Sequence, residues 1–362
     1  MTSSSVEPSR PSAQEGTPQS DPGPNTATAS ASARTRIFGS LPQAAVPLLL
    51  VATFVGFSVL SPELFFTWTN FRIMLASQAT VLLLAVAITI PLRAGDFDLS
   101  ISAVMVLCAG TVGVLFRDGW PVWTCVVVSL ALGGLVGALN AVFVVGIGLD
   151  GLIVTLGTFT LLNGLLTYMS DGSLISTIPS GVKDFANLQI LGLPSVVWLG
   201  WIIALIAWFV FEYTPLGRYL LFIGGNRSAA ALAGLRVGRI RIGAFIAASL
   251  IAALAGVLLA GSVGSVDPSS AGSYLLPPAT AAFLGTTTIQ LRRFNILGTL
   301  VGLYLLAFGI TGLQLLGVRG WVSDVFNGAA LILAIAFARC FELLKTRGHR
   351  PGLTRRRAAP AA

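Results

Sequence analysis

Charge and polar chemistry are scarce in this chain. Of its 362 residues, 10% are charged, against about 25% in soluble domains, and 55% are hydrophobic. Cysteine occurs three times and histidine once. Cys108 and Cys125 fall in or beside apolar runs and Cys340 lies near the C-terminus, so no disulfide framework is indicated. With His349 alone in a basic tail, no metal site can be assembled, and no cofactor is expected. There is no G-x-x-x-x-G-K-S/T phosphate loop, so the chain does not itself hydrolyse ATP. Nor is there a Ser/His/Asp or Cys/His set for nucleophilic catalysis, and the chain does not read as an enzyme. The interiors of the apolar runs also lack Lys, Arg and Glu, with Asp324 near the start of the last run the one carboxylate in question. An ionisable group inside a membrane costs at least ~2.5–3.5 kcal/mol and is kept for function. Its absence speaks against a proton-coupled carrier.

What remains is apolar and long. A mean hydropathy of +0.86 and runs of about 20 apolar residues predict an all-α integral membrane protein. Ten spans are expected, near 41–60, 73–92, 99–116, 121–146, 151–169, 195–211, 243–262, 274–290, 296–317 and 321–338. Residues 1–36, rich in Ser, Thr, Pro and Ala, read as a disordered tail, 37–340 as the transmembrane domain and 341–362 as a basic tail. The formal charge of +8 is distributed as membrane topology demands, and no nucleic-acid partner is implied. With the N-terminus inside the cell, 18 of the 22 basic residues fall on the cytoplasmic side, and only Arg72, Arg117, Lys183 and Arg319 on the other. An even number of spans keeps both termini inside. Two halves of five spans then face opposite ways, an inverted repeat, and the third span of each half is short and bounded by Gly- or Pro-rich sequence. No residue-level repeat between the halves accompanies this parity.

The longest hydrophilic stretch between apolar runs on the cytoplasmic side, 214–241, holds Arg218, Arg227, Arg236, Arg239 and Arg241. Gly224 and Gly225 permit a sharp turn, and Asn226 is suited to cap a following helix of about two turns. That helix carries small side chains, including Ala229 and Ala230, and ends near Gly234. It is too short and polar to cross a bilayer, and reads as a docking element for another protein. The external segment 170–194 is either a plain connector or a surface for an external partner.

Polar residues in or beside the spans form the second group of candidates. In Gly95-Asp96-Phe97-Asp98-Leu99-Ser100, Asp98 or Ser100 is placed to cap the third span, or to act as a gate. Asn140, Thr155, Thr158, Asn163 and Gln314 are candidates for a polar pathway, although such groups more often bond a neighbouring helix. Gly133/Gly137 and Gly298/Gly302 have the spacing that allows close helix approach.

These stretches, in this order, resemble the permease subunit of ribose-type bacterial ABC importers, in a superfamily that also serves nucleosides and branched-chain amino acids. The resemblance rests on Gly95 to Ser100, on Gly137-Ala138-Leu139-Asn140 followed by Ile153 to Thr158, and on Thr214-Pro215-Leu216-Gly217-Arg218. It continues through Ile223-Gly224-Gly225-Asn226 with Ala229-Ala230 and Leu297-Gly298-Thr299-Leu300, and covers roughly Pro47 to Ala338. Two stretches depart from it: Asp96-Phe97, where a Gly-Ile pair is common, and 286–295, usually glycine-rich. The resemblance implies a homodimer or a heterodimer with a sister permease in the bacterial cytoplasmic membrane. It also implies cytoplasmic ABC ATPase subunits docked on the loop around Gly224-Gly225-Asn226, an external solute-binding protein, and a ribose-like monosaccharide as cargo. The alternatives are a nucleoside or branched-chain amino acid carried by the same architecture, or a stand-alone secondary carrier.

Overall fold

The structure is a computed structural model that describes residues 27–348, with side chains from 44 to 337. Residues 1–26 of the expected N-terminal tail and 349–362 of the basic C-terminal tail lie outside the described residues. The chain divides at residue 41, and the packing and contacts described below concern the part from Pro42 onward.

The architecture is all-α. Helices α1 (Ala27–Leu60), α2 (Trp68–Arg93), α3 (Ile101–Arg117), α4 (Val122–Ala141) and α5 (Gly151–Met169) come first. The connection after α5 holds α6 (Ser180–Asn187) and a small hairpin of two-residue strands in which Gln189 pairs Pro194. There follow α7 (Ser195–Tyr213), α8 (Pro215–Gly225), α9 (Arg227–Leu232) and α10 (Val237–Val263), then α11 (Leu276–Gly285), α12 (Ile296–Leu315) and α13 (Val322–Gly348). Each of the ten expected spans overlaps a helix. Among the described residues, six helices are long and apolar enough to cross a membrane: α2, α4 with its π-helical continuation to Ile147, α5, α7, α10 and α12. The chain is therefore a multi-helix membrane protein. Large apolar side chains such as Val59, Trp123, Ile153, Leu161 and Leu333 stand exposed on its outer faces, as a lipid environment permits.

The expected span 274–290 contracts to the ten residues of α11, about 15 Å of helix, or half a hydrocarbon core. Its C-terminal end is set by Thr286 and Thr287, whose hydroxyls donate to the Phe283 and Leu284 carbonyls and so compete with further helix. The chain then turns through left-handed backbone at Ile289 (φ 52°) and Arg292 (φ 66°), positions where glycine would be freer. Asn295 closes the turn: its amide donates to the Gly285 and Arg293 carbonyls, and its Oδ1 accepts from the Gly298 N–H to cap α12.

Two helices, α2 and α10, form the buried centre, with α2 almost wholly enclosed from Ala79 to Arg93. Each packs mainly on elements from the other end of the chain. Helix α10 lies against α3 and α4 as well as α2, while α2 lies against α11 and α12. Likewise α3 rests on α4 and α5, as α11 rests on α12 and α13. The glycine pairs allow this closeness. A methyl on Gly133 or Gly137 of α4 would strike Ala253 and Ser249 of α10, and one on Gly298 or Gly302 of α12 would meet the Gly285 and Ala281 carbonyls. At Gly256 of α10, a methyl would run into the backbone carbonyl of Met105 in α3.

Because that obstacle is helix backbone and cannot rotate away, Gly256→Ala is expected to destabilise the protein by ~1–3 kcal/mol. Thermal unfolding in detergent should show a lower midpoint. The same substitution at Gly225, which has open space around it, should leave the midpoint close to that of the unsubstituted chain.

Candidate functional site

The segment expected to dock a partner has a defined shape. Pro215 opens α8, a position that wastes no N–H donor. After Gly225 the backbone is extended at Asn226 (φ −159°), and the Asn226 side chain accepts from the Ala229 N–H at 2.9 Å to cap the six-residue α9. Gly234, at φ +82°, turns the chain toward α10. Gly224 serves close approach rather than a left-handed turn: its α-carbon sits against the Arg93 carbonyl, where no side chain would fit. The small residues of α9 serve packing too. Ala230 is fully buried and Ala229 half-buried, whereas Arg218 and Ser228 are exposed. What α9 presents outward is Leu232, 90% exposed, with Phe222 of α8 also exposed.

Beneath this element lie two charged residues that sequence reasoning did not select. Arg93, the last residue of α2, is buried and fans out over three carbonyls from separate segments. Nε donates to Gly217 at 3.3 Å, Nη2 to Phe211 at 3.2 Å and Nη1 to Phe294 at 3.0 Å. Its guanidinium lies 4.4 Å from the centre of the Phe211 ring and 3.7 Å from the Glu212 carboxylate. The planar five-donor head suits such a junction, and an ammonium would not. Asp96, three residues on, has a side chain only 4% exposed and holds two arginines. Arg241 of α10 binds it through both nitrogens at 2.7 Å, and Arg227 of α9 donates to its Oδ1 at 2.8 Å and to the Gly95 carbonyl at 2.8 Å. Opposite charges one and four residues past the expected span end at 92 were the available signal, and Asp96 registered only as a departure from a sequence pattern.

Four of the six pathway candidates converge next to this pair. Asp98 Oδ1 accepts from the Ser100 N–H (3.0 Å) and hydroxyl (2.6 Å), while its Oδ2 is buried without a hydrogen-bond partner. Asn140 of α4 donates to Ser100 Oγ at 2.8 Å and accepts from Thr158 of α5 at 2.7 Å. Thr155, one turn earlier, accepts from the Leu99 N–H at 3.1 Å. The break between α2 and α3 is thus laced to α4 and α5. Asn163 and Gln314 do not join it. Asn163 is half-buried further along α5, and Gln314 is exposed at the end of α12, bonded to Ser323. A cavity of about 430 Å³ opens beside the lacing, bounded by Asp96, Arg227 and Arg241 on one side and Leu149 to Leu152 on the other.

A residue-level repeat also emerges, where the sequence reading found none. Gly264-Ser265-Val266-Asp267-Pro268-Ser269, after α10, repeats the spacing of Gly95 to Ser100 after α2. Both glycines have φ +78°. Asp267 Oδ1 accepts from the Ser269 N–H at 2.9 Å and hydroxyl at 2.7 Å, as Asp98 does from Ser100, and these bonds hold the Asp267 carboxyl below its usual range. The second break is secured to the segment after α5 by paired backbone bonds between Val266 and Ile175.

Residues 70–335 match the family described as branched-chain amino acid transport system / permease component. The ribose import permease protein RbsC of Escherichia coli is 31% identical over 297 residues, covering 80% of this chain and 91% of that protein. RbsC of Haemophilus influenzae is 28% identical over 285 residues, 77% of this chain and 87% of that one. The autoinducer 2 import system permease protein LsrD of Salmonella paratyphi A is 30% identical over 300 residues, with coverages of 80% and 89%. No solved structure matches. Permease subunits of this family are transport components, with ATP hydrolysis on a separate subunit, in keeping with the missing phosphate loop. The match runs from α2 into α13 and contains the whole seam around Arg93, Asp96 and α9; the chain belongs to this family of multi-pass permease components of the bacterial inner membrane.

Proposed function

We propose that the chain is the membrane permease of an ATP-driven importer, which moves a ribose-like monosaccharide across the cytoplasmic membrane by alternating access. The observation that carries this reading is the α8–α9 element. It is a capped helix too short to cross a bilayer, seated by Gly224 on the end of a central helix, with Leu232 held out at 90% exposure. Covering Leu232 and the exposed Phe222 with a partner's groove would bury apolar surface on an element that stands off the helix bundle. The partner is a cytoplasmic ATPase subunit, since the element lies at the arginine-bearing end that the positive-inside rule assigns to the cytoplasm. A solute-binding protein meets the opposite face, and a second copy or a sister permease completes the pathway.

Alternating access needs two gates of opposite orientation. Ten crossings in two inverted halves, both termini inside, provide them, and two observations support that plan. The central helices α2 and α10 pack reciprocally on the opposite halves, and each is followed by the same Gly-x-x-Asp-x-Ser break before a short helix. Discontinuous helices at matching positions are how transporters place polar groups within the bilayer. Asp98, Asn140, Thr155 and Thr158 line the inner gate in this reading, while Asn163 and Gln314 stay outside it.

A monosaccharide is favoured by the similarity to ribose import permeases, which extends over most of this chain. The description of the family favours a branched-chain amino acid as the second reading. Proteoliposomes holding the chain with its cognate ATPase, supplied with the binding protein, should accumulate labelled ribose only with ATP inside the appropriate face. Accumulation of leucine instead would move the assignment to the second reading, and uptake by the chain alone on a solute gradient would sink the importer reading altogether.

A docking variant gives a sharper check. Ala230 is enclosed, so an acid there would test packing; Leu232 is the exposed residue to change. Burying a leucine is worth ~1.5–3 kcal/mol, so Leu232→Asp should weaken ATPase binding by about tenfold or more. Membrane insertion and thermal stability should be unaltered. Co-purification at the unsubstituted level would remove α9 from the interface.

A further inference from the structure

The ion cluster on Asp96 divides its two arginines by role. Arg241 stands on α10, one of the two central helices, is 11% exposed and grips Asp96 with two bonds at 2.7 Å. That bidentate, nearly dry contact is the durable half. Arg227 is the first residue of α9, is 46% exposed, and divides one terminal nitrogen between Asp96 Oδ1 and the Gly95 carbonyl. This half-solvated contact, made through one nitrogen, is the half that can be made and broken as α9 moves. Asp96 is therefore fixed to the scaffold by one arginine and roped to a surface element by the other.

The segment it sits on leads inward. Gly95 lies in contact with Gly224, so the break after α2 touches α9's own hinge. Two residues past Asp96, Asp98 holds Ser100, Ser100 is held by Asn140, and Asn140 by Thr158. A pull on Gly95 and Asp96 thus reaches the start of α3 and its bonds to α4 and α5, through contacts each 3.0 Å or shorter. The 430 Å³ cavity between Asp96 and Leu152 is the space whose width such a pull would change.

From this geometry we infer that Asp96 is a positioning residue of the transport cycle, a clamp through which displacement of α9 by way of Arg227 opens or closes the cavity at the start of α5. The inference rests on the reading of α8–α9 as the ATPase dock. It adds that the force enters the membrane domain through one ion pair, rather than through the general packing of α8. Removing Asp96 itself would leave Arg241 buried without its partner, so the variant of choice is Arg227→Gln. It spares the Arg241–Asp96 pair and with it the fold.

The test uses the full chain with Leu152→Cys and Cys340→Ser, co-expressed with its cognate ATPase, in inside-out vesicles; Cys108 and Cys125 are buried. A membrane-impermeant maleimide reports access to the cavity with and without ATP. With Arg227 present, ATP should change the labelling rate by about fivefold or more, a coupling of ordinary allosteric size. In Arg227→Gln the ATPase should still co-purify and hydrolyse ATP, while the labelling rate ceases to respond; Arg227→Lys should restore part of the response, and loss of co-purification in Arg227→Gln would make Arg227 a docking contact and overturn the clamp. A full ATP response in Arg227→Gln, or none with Arg227 in place, overturns the clamp and leaves the dock standing. Failure of the ATPase to co-purify with the Arg227 chain overturns the dock, and the clamp with it.

Discussion

Interrupting a helix in a membrane protein leaves backbone donors and acceptors that no lipid can satisfy, and at three interruptions among the described residues dedicated side chains take them up. Arg93 takes three carbonyls where α7, α8 and the 286–295 turn meet the end of α2. Asn295 takes two carbonyls and one N–H where α11 gives way to α12. Asp98 and Thr155 take the N–H groups of Ser100 and Leu99. Because these side chains belong to different segments, satisfying the backbone and joining the segments are one act. The polar seam that results is the part of the molecule where movement of one element must be felt by another.

Much of this was legible beforehand. Hydropathy located the six helices long and apolar enough to cross a membrane, because a bilayer admits little else than apolar helices. The cap at Asn226 followed from residue type and a glycine break. Asp98, Asn140, Thr155 and Thr158 proved to be neighbours, and GxxxG spacing marked true close approaches at Gly133, Gly137, Gly298 and Gly302. Capping and neighbour bonding, the plainer expectations for these polar groups, describe their contacts well. Asn163 did not join them because it stands five residues past Thr158, roughly 140° further around the helix at 100° per residue, on another face.

Other features escaped for physical reasons. Gly224 looks like a turn residue, but only the carbonyl of Arg93, 131 positions away in sequence, explains why it has no side chain. The span at 274–290 looked whole because apolar content says nothing of where threonines turn back on their own carbonyls. Arg93 was counted as a topological charge, since no local pattern distinguishes a buried arginine at a helix end from one in water. The repeated Gly-x-x-Asp-x-Ser was in plain view, yet among 40 glycines a six-residue pattern with three fixed positions carries no weight until both copies adopt the same turn.

That repeat also isolates what is special about one end of the molecule. The two breaks share a left-handed glycine at φ +78°, an aspartate three residues later and a serine held by it. Requirements of backbone geometry are therefore met equally in both. They differ at the residue after the glycine: Ser265 in one, Asp96 in the other. Only Asp96 meets two arginines, and one of these stands on α9. Since the fold makes the same turn with serine at that position, the carboxylate is not there to form the turn. Its distinguishing contact is with the short exposed helix, and a charge added at that end alone fits an end that must be gripped from outside.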